Sequence, residues 1–229
     1  MAAKSTKARK RVQLDREIIL DAALRLAQNP TYDAVTVRKL GAELGADPTA
    51  IYRHFRDKDE LVAAIVDHLL VVALEGMTPQ PDWRASLRLF ATESARVMVQ
   101  YPSIGALSSG VTTGGPGEFA VIEFILDSFT RAGLDPADAV RFYGIYANLT
   151  LATGAAMAGY VLSEGERTAD SPAWLGDVAP VDDRVFPLVA AMRHELSELR
   201  DEELFMAGVD IVLDAAEVTA KSSKKKSRK

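Results

Sequence analysis

Thr36-Val-Arg-Lys-Leu-Gly-Ala-Glu-Leu-Gly-Ala-Asp-Pro-Thr-Ala-Ile-Tyr-Arg-His-Phe-Arg-Asp-Lys58 is the stretch that decides the fold. Thr36 is placed to cap a helix, its hydroxyl oxygen accepting from a backbone N–H that lacks an intrahelical partner. Val37, Leu40 and Leu44 then recur on one helical face. Gly45 ends that helix, because glycine enters the left-handed region without a Cβ penalty. Asp47-Pro48 restarts the chain as cap and first helical residue, where proline's missing N–H costs nothing. In the second helix Ile51 and Phe55 turn inward, leaving Thr49, Ala50, Arg53 and His54 outward. Asp57-Lys-Asp-Glu60 has the form of a capping box that opens a third helix. Two short helices across a glycine turn, the second with a polar outer face, make a helix-turn-helix.

Upstream, Asp15 caps an amphipathic helix with Ile18, Ile19, Ala22, Ala23 and Leu26 inward, ended by Asn29-Pro30. It braces the pair into a three-helix unit. Residues 1–13 carry Lys4, Lys7, Arg9, Lys10 and Arg11 without an acid, and are expected as a disordered basic arm, either solvated or following phosphates or entering a minor groove. Downstream, Leu61, Ile65, Leu69 and Val72 keep helical spacing in a connecting helix over 61–78. Thr78-Pro-Gln-Pro-Asp82 reads as the hinge into a second unit, 79–220. There Asp82-Trp83 opens a helix to about Tyr101, stopped by Pro102. Ser108 to Glu118 is rich in Ser, Thr and Gly, but no Gly-Lys-Ser/Thr and no strand accompany it, so it reads as a flexible connection and not a phosphate loop. Further helices are expected over Phe119–Arg131, after the cap Asp135-Pro136, over Val185–Leu199, and after the acidic cap Asp201-Glu202-Glu203. Gly165–Arg184 is polar and irregular.

The chain has no cysteine, which excludes disulfides, thiolate catalysis and cysteine-ligated zinc. Its three histidines, His54, His68 and His194, lack metal-ligand spacing and pair with no nucleophile motif, so neither an enzyme nor a cofactor is expected. Apolar runs such as Leu69–Leu74 fall short of the ~20 residues that a membrane span needs. No signal-peptide pattern follows the basic start, and a soluble, cytoplasmic protein is expected. The formal net charge of −5 is unevenly spread. A basic tail over 221–229 carries Lys221, Lys224, Lys225, Lys226, Arg228 and Lys229. With arm and tail set aside, sixteen bases face thirty-two acids. Contact with nucleic acid requires a local basic patch, not a basic protein.

Residues 44–61, Leu-Gly-Ala-Asp-Pro-Thr-Ala-Ile-Tyr-Arg-His-Phe-Arg-Asp-Lys-Asp-Glu-Leu, resemble the DNA-binding signature of the TetR family of bacterial transcriptional regulators. Ile51 to Phe55 and Lys58 with Leu61 carry most of the likeness, which covers residues 14–65. The remainder matches the family only in length and helical pattern. The resemblance implies an all-α protein with an N-terminal three-helix helix-turn-helix domain over 14–60 and a C-terminal helical domain for ligand binding and dimerisation. It puts Thr36, Tyr52 and Lys58 where the family grips backbone phosphates. Arg38, Thr49, Ala50, Arg53 and His54 are candidates for the groove, where arginine bonds guanine O6 and N7 together and alanine meets a thymine methyl, and His54 is a candidate for a phosphate as well.

In the second domain Gly144, Ala147, Leu151, Gly154, Ala155 and Ala158 form a stripe of small residues that lets another helix approach closely. Either it packs within the chain, or it makes half of a symmetric four-helix dimer interface with Val209 and Leu213 of the last helix. A two-fold dimer is what paired DNA half-sites demand. Phe90, Met98, Tyr101, Phe119, Ile122, Phe142, Tyr143, Tyr146, Asn148 and Trp174 are the candidates for an effector pocket, with Tyr143, Tyr146 and Asn148 as polar anchors. A tetracycline–magnesium site is not expected, because the family's pocket histidines have no obvious counterparts. The expected function is that of a homodimeric repressor, bound to an inverted-repeat operator in double-stranded DNA and released by a small, largely apolar effector. The alternative is a helical interaction protein whose basic tails bind nucleic acid without regard to sequence.

Overall fold

The computed structural model describes residues 14–78, 80–164 and 180–226, and its regular elements are all helical. The arm 1–13, Trp174 with most of the 165–184 loop, and the last three residues of the basic tail lie outside the described residues. The first unit comprises α1 (Arg16–Ala27), α2 (Val37–Leu44) and a 3₁₀ helix, Pro48–Arg53. Ile19, Ala22, Ala23, Leu40, Ile51 and Phe55 are buried at its centre. Three of its caps are the ones predicted: Asp15 accepts from Ile18 N at 2.8 Å, Thr36 Oγ1 from Lys39 N at 3.2 Å, and Asp47 from Thr49 N at 2.8 Å. Gly45 has φ 61°, the left-handed conformation expected of it. The second helix differs in winding. Ala50 N donates to Asp47 O and His54 N to Ile51 O, the tighter closure that persists only in short pieces.

From there α3 (Lys58–Glu75) runs as one helix, touching α1 in the first unit and α4 (Trp83–Gln100), α5 (Pro102–Gly105) and α6 (Pro116–Ala132) in the second. Asp57 caps it, accepting from Glu60 N at 2.8 Å. The second unit is built around α7 (Pro136–Glu164), which packs on α4, α5, α6 and α10 (Asp201–Lys226). By length and composition Pro136–Leu162 is apolar enough to cross a membrane, a stretch that the reading of short apolar runs overlooked. One face of this helix meets these neighbours, while Val140, Ile145, Ala152 and Ala156 are exposed. Arg84 ties α4 to α10 through Asp214 at 2.6 Å and Glu217 at 3.7 Å, and Arg88 adds a bond to Asp210.

Val185–Leu199 divides into α8 (Pro187–Ala191) and α9 (Arg193–Glu198), neither with a buried residue. The last helix continues to Lys226, beyond the boundary set at residue 220. Bases suit the carboxyl end of a helix, and Lys221 pairs with Glu217 one turn earlier. Within the small-residue stripe Gly154, Ala155 and Ala158 are buried inside the single chain. A Cβ on Gly154 would sit 2.5 Å from the Met98 sulfur of α4. Val209 and Leu213 are fully buried as well. These five residues lie in the chain's own core. Of the stripe only Gly144 is exposed, with nothing near the place of a Cβ.

Candidate DNA interface and apolar cavity

The first unit sorts its bases. Arg16 pairs with Glu60 at 2.9 Å, Arg25 with Glu43 at 3.1 Å, Lys39 with Asp33 at 3.1 Å and Arg56 with Glu60 at 3.1 Å. Arg38, Arg53 and Lys58 are exposed and form no ion pair with a described residue. Thr49 and Tyr52 are exposed too, Tyr52 to 47%, while Ala50 and His54 are half-buried. The Thr36 oxygen caps α2 as an acceptor, so its O–H remains a donor. The Thr49 hydroxyl stands 2.6 Å from Asp47 Oδ1, and this contact with the Thr49 N–H holds the Asp47 carboxyl below the usual range.

Arg16, which sequence reasoning passed over, fixes the end of the second helix. Its Nη1 donates to the His54 carbonyl at 2.6 Å and to Glu60 Oε1 at 2.9 Å, and its guanidinium lies 4.2 Å from the Phe55 ring centroid. Glu60 supplies half of the expected capping box. Its N–H meets Asp57, but its carboxylate turns away to accept from Arg56 N at 2.7 Å. That bond, then the Arg16 and Arg56 side chains, lowers its pKa from 4.5 to about 2.

A cavity of about 70 Å³ lies between α3, α4, α6 and α7. Val66 and Leu70 line it from α3, Phe90, Ser94 and Met98 from α4, and Val121, Ile122 and Ile125 from α6. Tyr143, Ala147, Thr150 and Leu151 close it from α7, and Ser108, Val111, Thr113 and Glu118 close the rim. Four of the ten expected pocket residues are present: Phe90, Met98, Ile122 and Tyr143. Phe142 and Tyr146 belong instead to the core around Phe129, whose ring centroid lies 5.9 Å and 6.2 Å from theirs. The Tyr146 hydroxyl donates to the Leu87 carbonyl at 2.6 Å, and burial raises its pKa. Tyr101 packs half-buried on the core outside the cavity. Phe119 is 63% exposed, and Asn148 lies in an open groove with Arg141, Gly144 and Ile145. Ala147 and Leu151, expected at the dimer face, are cavity wall.

The rim is not the flexible connection predicted. Asp67 Oδ2 accepts from Gly117 N at 3.0 Å and Oδ1 from Glu118 N at 2.9 Å, so a carboxylate of α3 caps α6. Thr113 Oγ1 stands 2.7 Å from Asp67 Oδ1 and 3.0 Å from Glu118 Oε2. Glu118 Oε2 also accepts from Thr113 N at 2.8 Å and Gly114 N at 2.7 Å.

The model of bacterial regulatory proteins of the tetR family matches residues 19–65, and that of the tetracyclin repressor-like C-terminal domain matches residues 75–219. A transcriptional regulator of the helix-turn-helix type from Saccharopolyspora erythraea is 29% identical over 158 residues, 69% of this chain, which spans 61% of that relative's length. The tetracycline repressor protein class D of Escherichia coli is 26% identical over 211 residues, 90% of each chain. A helix-turn-helix transcriptional repressor of Mycobacterium tuberculosis is 28% identical over 221 residues, 91% of this chain and 82% of its own. Among solved structures, a chain described as a transcriptional regulator of Streptomyces coelicolor A3(2) superposes with a TM-score of 0.73 at 29% identity, covering 90% of this chain and 98% of that one. The ActR protein of Streptomyces coelicolor, solved in complex with (S)-DNPA, shares the fold with a TM-score of 0.72 at 18% identity over 90% of this chain and 98% of its own.

Proposed function

The chain belongs to the tetR family of bacterial regulatory proteins, and on that premise we propose a homodimeric repressor whose helix-turn-helix reads an inverted-repeat operator and whose cavity takes a small effector that releases it. The sorting of charge in the first unit carries this reading. Bases that serve the fold are paired with acids, whereas Arg38, Arg53 and Lys58 are left exposed for another partner. Lys58 opens α3, where a positive charge works against the helix dipole, so stability does not account for it. Thr36, Tyr52 and Lys58 are assigned to phosphates, and Arg38, Thr49, Ala50, Arg53 and His54 to base edges. As a regulator it acts by binding, not turnover, and works in the cytoplasm, where bacterial DNA is. The domains are 14–60 for DNA, 61–78 as connector, and 79 onward for effector and partner.

The dimer face is assigned to the side of α7 and α10 that the described residues leave uncovered. On α7 this is Gly144, Ile145, Asn148, Ala152 and Ala156, and on α10 it is Leu204, Ile211 at 69% exposure and Val218 at 65%. Both sets recur at helical spacing, the pattern of a four-helix seam.

At about 70 Å³ the cavity is far below the roughly 300 Å³ of ordinary small-molecule sites. An effector therefore favours a state in which the walls stand further apart. Val66 and Leu70 of α3 are wall, and α3 also carries the helix-turn-helix, so spreading the cavity turns the two recognition helices. Half-sites one turn, ~34 Å, apart are then no longer matched. Release is limited by the effector's differential affinity for the two states.

The test is titration of bound duplex DNA with wild type, Arg53→Ala and, as a control, Arg25→Ala. Loss in Arg53→Ala alone supports the reading, and equal losses in both would remove it.

A further inference from the structure

We infer that the effector is an apolar body bearing a protonated amine, and that Glu118 selects it. This rests on the cavity being the effector site. The walls are mostly hydrocarbon, and three of their hydroxyls are already engaged: Ser94 donates to the Ala91 carbonyl at 3.1 Å, Ser108 to Gly105 at 2.7 Å and Thr150 to Tyr146 at 3.0 Å. Glu118 is the charged residue of the lining, and no lysine, arginine or histidine stands among the described residues that form it. Its Oε2 is held by Thr113 and Gly114, which fixes the carboxylate in place, while Oε1 has no hydrogen bond to a described residue. Across the cavity the Tyr143 hydroxyl also lacks a described hydrogen bond. Burial, and then the charge of Glu118, raises its pKa, so it stays an uncharged O–H near neutral pH.

A ligand entering this space strips water from a carboxylate that has no counter-charge in the wall. An alcohol returns one hydrogen bond, and an anion adds repulsion. An ammonium group returns both a bond to Oε1 and a charge, the strongest compensation that a desolvated carboxylate finds. The Tyr143 oxygen is free to accept a second ammonium proton.

Three probes with the same phenyl body separate these cases: phenethylammonium, phenethyl alcohol and phenylacetate. Each is titrated into the full-length protein, read by thermal stabilisation and by release of bound duplex. The ammonium is expected to bind roughly tenfold or more tightly than the alcohol, with phenylacetate weakest. In Glu118→Gln the ammonium should fall to the level of the alcohol, since the amide oxygen still accepts from Thr113 and Gly114. Equal binding of alcohol or carboxylate in the wild type overturns the inference, as does a preference for ammonium that survives Glu118→Gln. Ala147→Leu, which fills the cavity, distinguishes the premise. If it abolishes binding of all three probes but no preference for ammonium exists, the cavity stands and the role of Glu118 falls. If no probe binds, or Ala147→Leu leaves binding intact, the cavity reading falls with it.

Discussion

The backbone N–H of Glu118 donates to Asp67 Oδ1 over 2.9 Å, so a side chain of α3 serves as the N-cap of α6. Gly117 makes the approach possible, since a Cβ there would run into the Asp67 backbone carbonyl. One carboxylate thereby joins the helix that carries the DNA-binding unit to a wall of the cavity. Loss of an N-cap costs ~1 kcal/mol. Asp67→Ala should therefore lower the melting temperature by about 2–4 °C, and Asp67→Asn, which keeps an acceptor oxygen, by less. Calorimetry that finds Asp67→Ala unchanged would show that the cap carries no stability.

Acid should destabilise the first unit through Glu60. Its pKa in the folded protein is about 2, against an ordinary value of 4.5, chiefly through the Arg56 N–H and then Arg16. A lowered carboxylate pKa contributes stability that is fully present above 4.5 and is lost as pH falls towards 2. Melting temperatures between those limits should drop more steeply in wild type than in Glu60→Gln. Parallel curves would contradict the assignment.

Arg53 and Lys58 should fail in different ways. Arg53→Ala is expected to cost ~1–3 kcal/mol on the operator and to relax preference at one base pair. Lys58→Ala should weaken all duplexes alike and reduce the salt slope by about 1. Binding isotherms on operator and scrambled duplex across a salt series distinguish the two, and matching profiles would undo the division between base and phosphate contacts.

Neighbours on α10 should likewise part company. Ile211 is 69% exposed and Leu213 is fully buried. Ile211→Asp should leave the helical circular-dichroism signal intact while sedimentation reports monomers. Leu213→Asp buries an unpaired charge and should unfold the chain. Intact dimers of Ile211→Asp would move the interface elsewhere.

What could be read from the sequence was local. Thr36, Gly45, Asp47 and Asp57 each act on a backbone group within four residues, so residue type and spacing suffice to place them. The cavity depends on which way a helix is turned, and adjacent letters have opposite fates there. Phe142 packs against Phe129 while Tyr143 faces the cavity. Gly144 is exposed while Ala147, three residues on, is wall. An alternation of small residues reports close packing but not the partner, and here the partner of Gly154 is Met98. The rim from Ser108 to Glu118 looked loose because its organiser, Asp67, lies fifty residues before Gly117 in the chain. A cap supplied by another helix leaves no mark in the local sequence.

Selection of bound sequences from a random duplex library, at near-physiological salt, decides whether the helix-turn-helix reads bases. Recovery of an inverted repeat, with half-sites about one helical turn apart, is the predicted result. Recovery of no motif, with binding that vanishes as salt rises, would contradict it and assign the affinity to the basic tails.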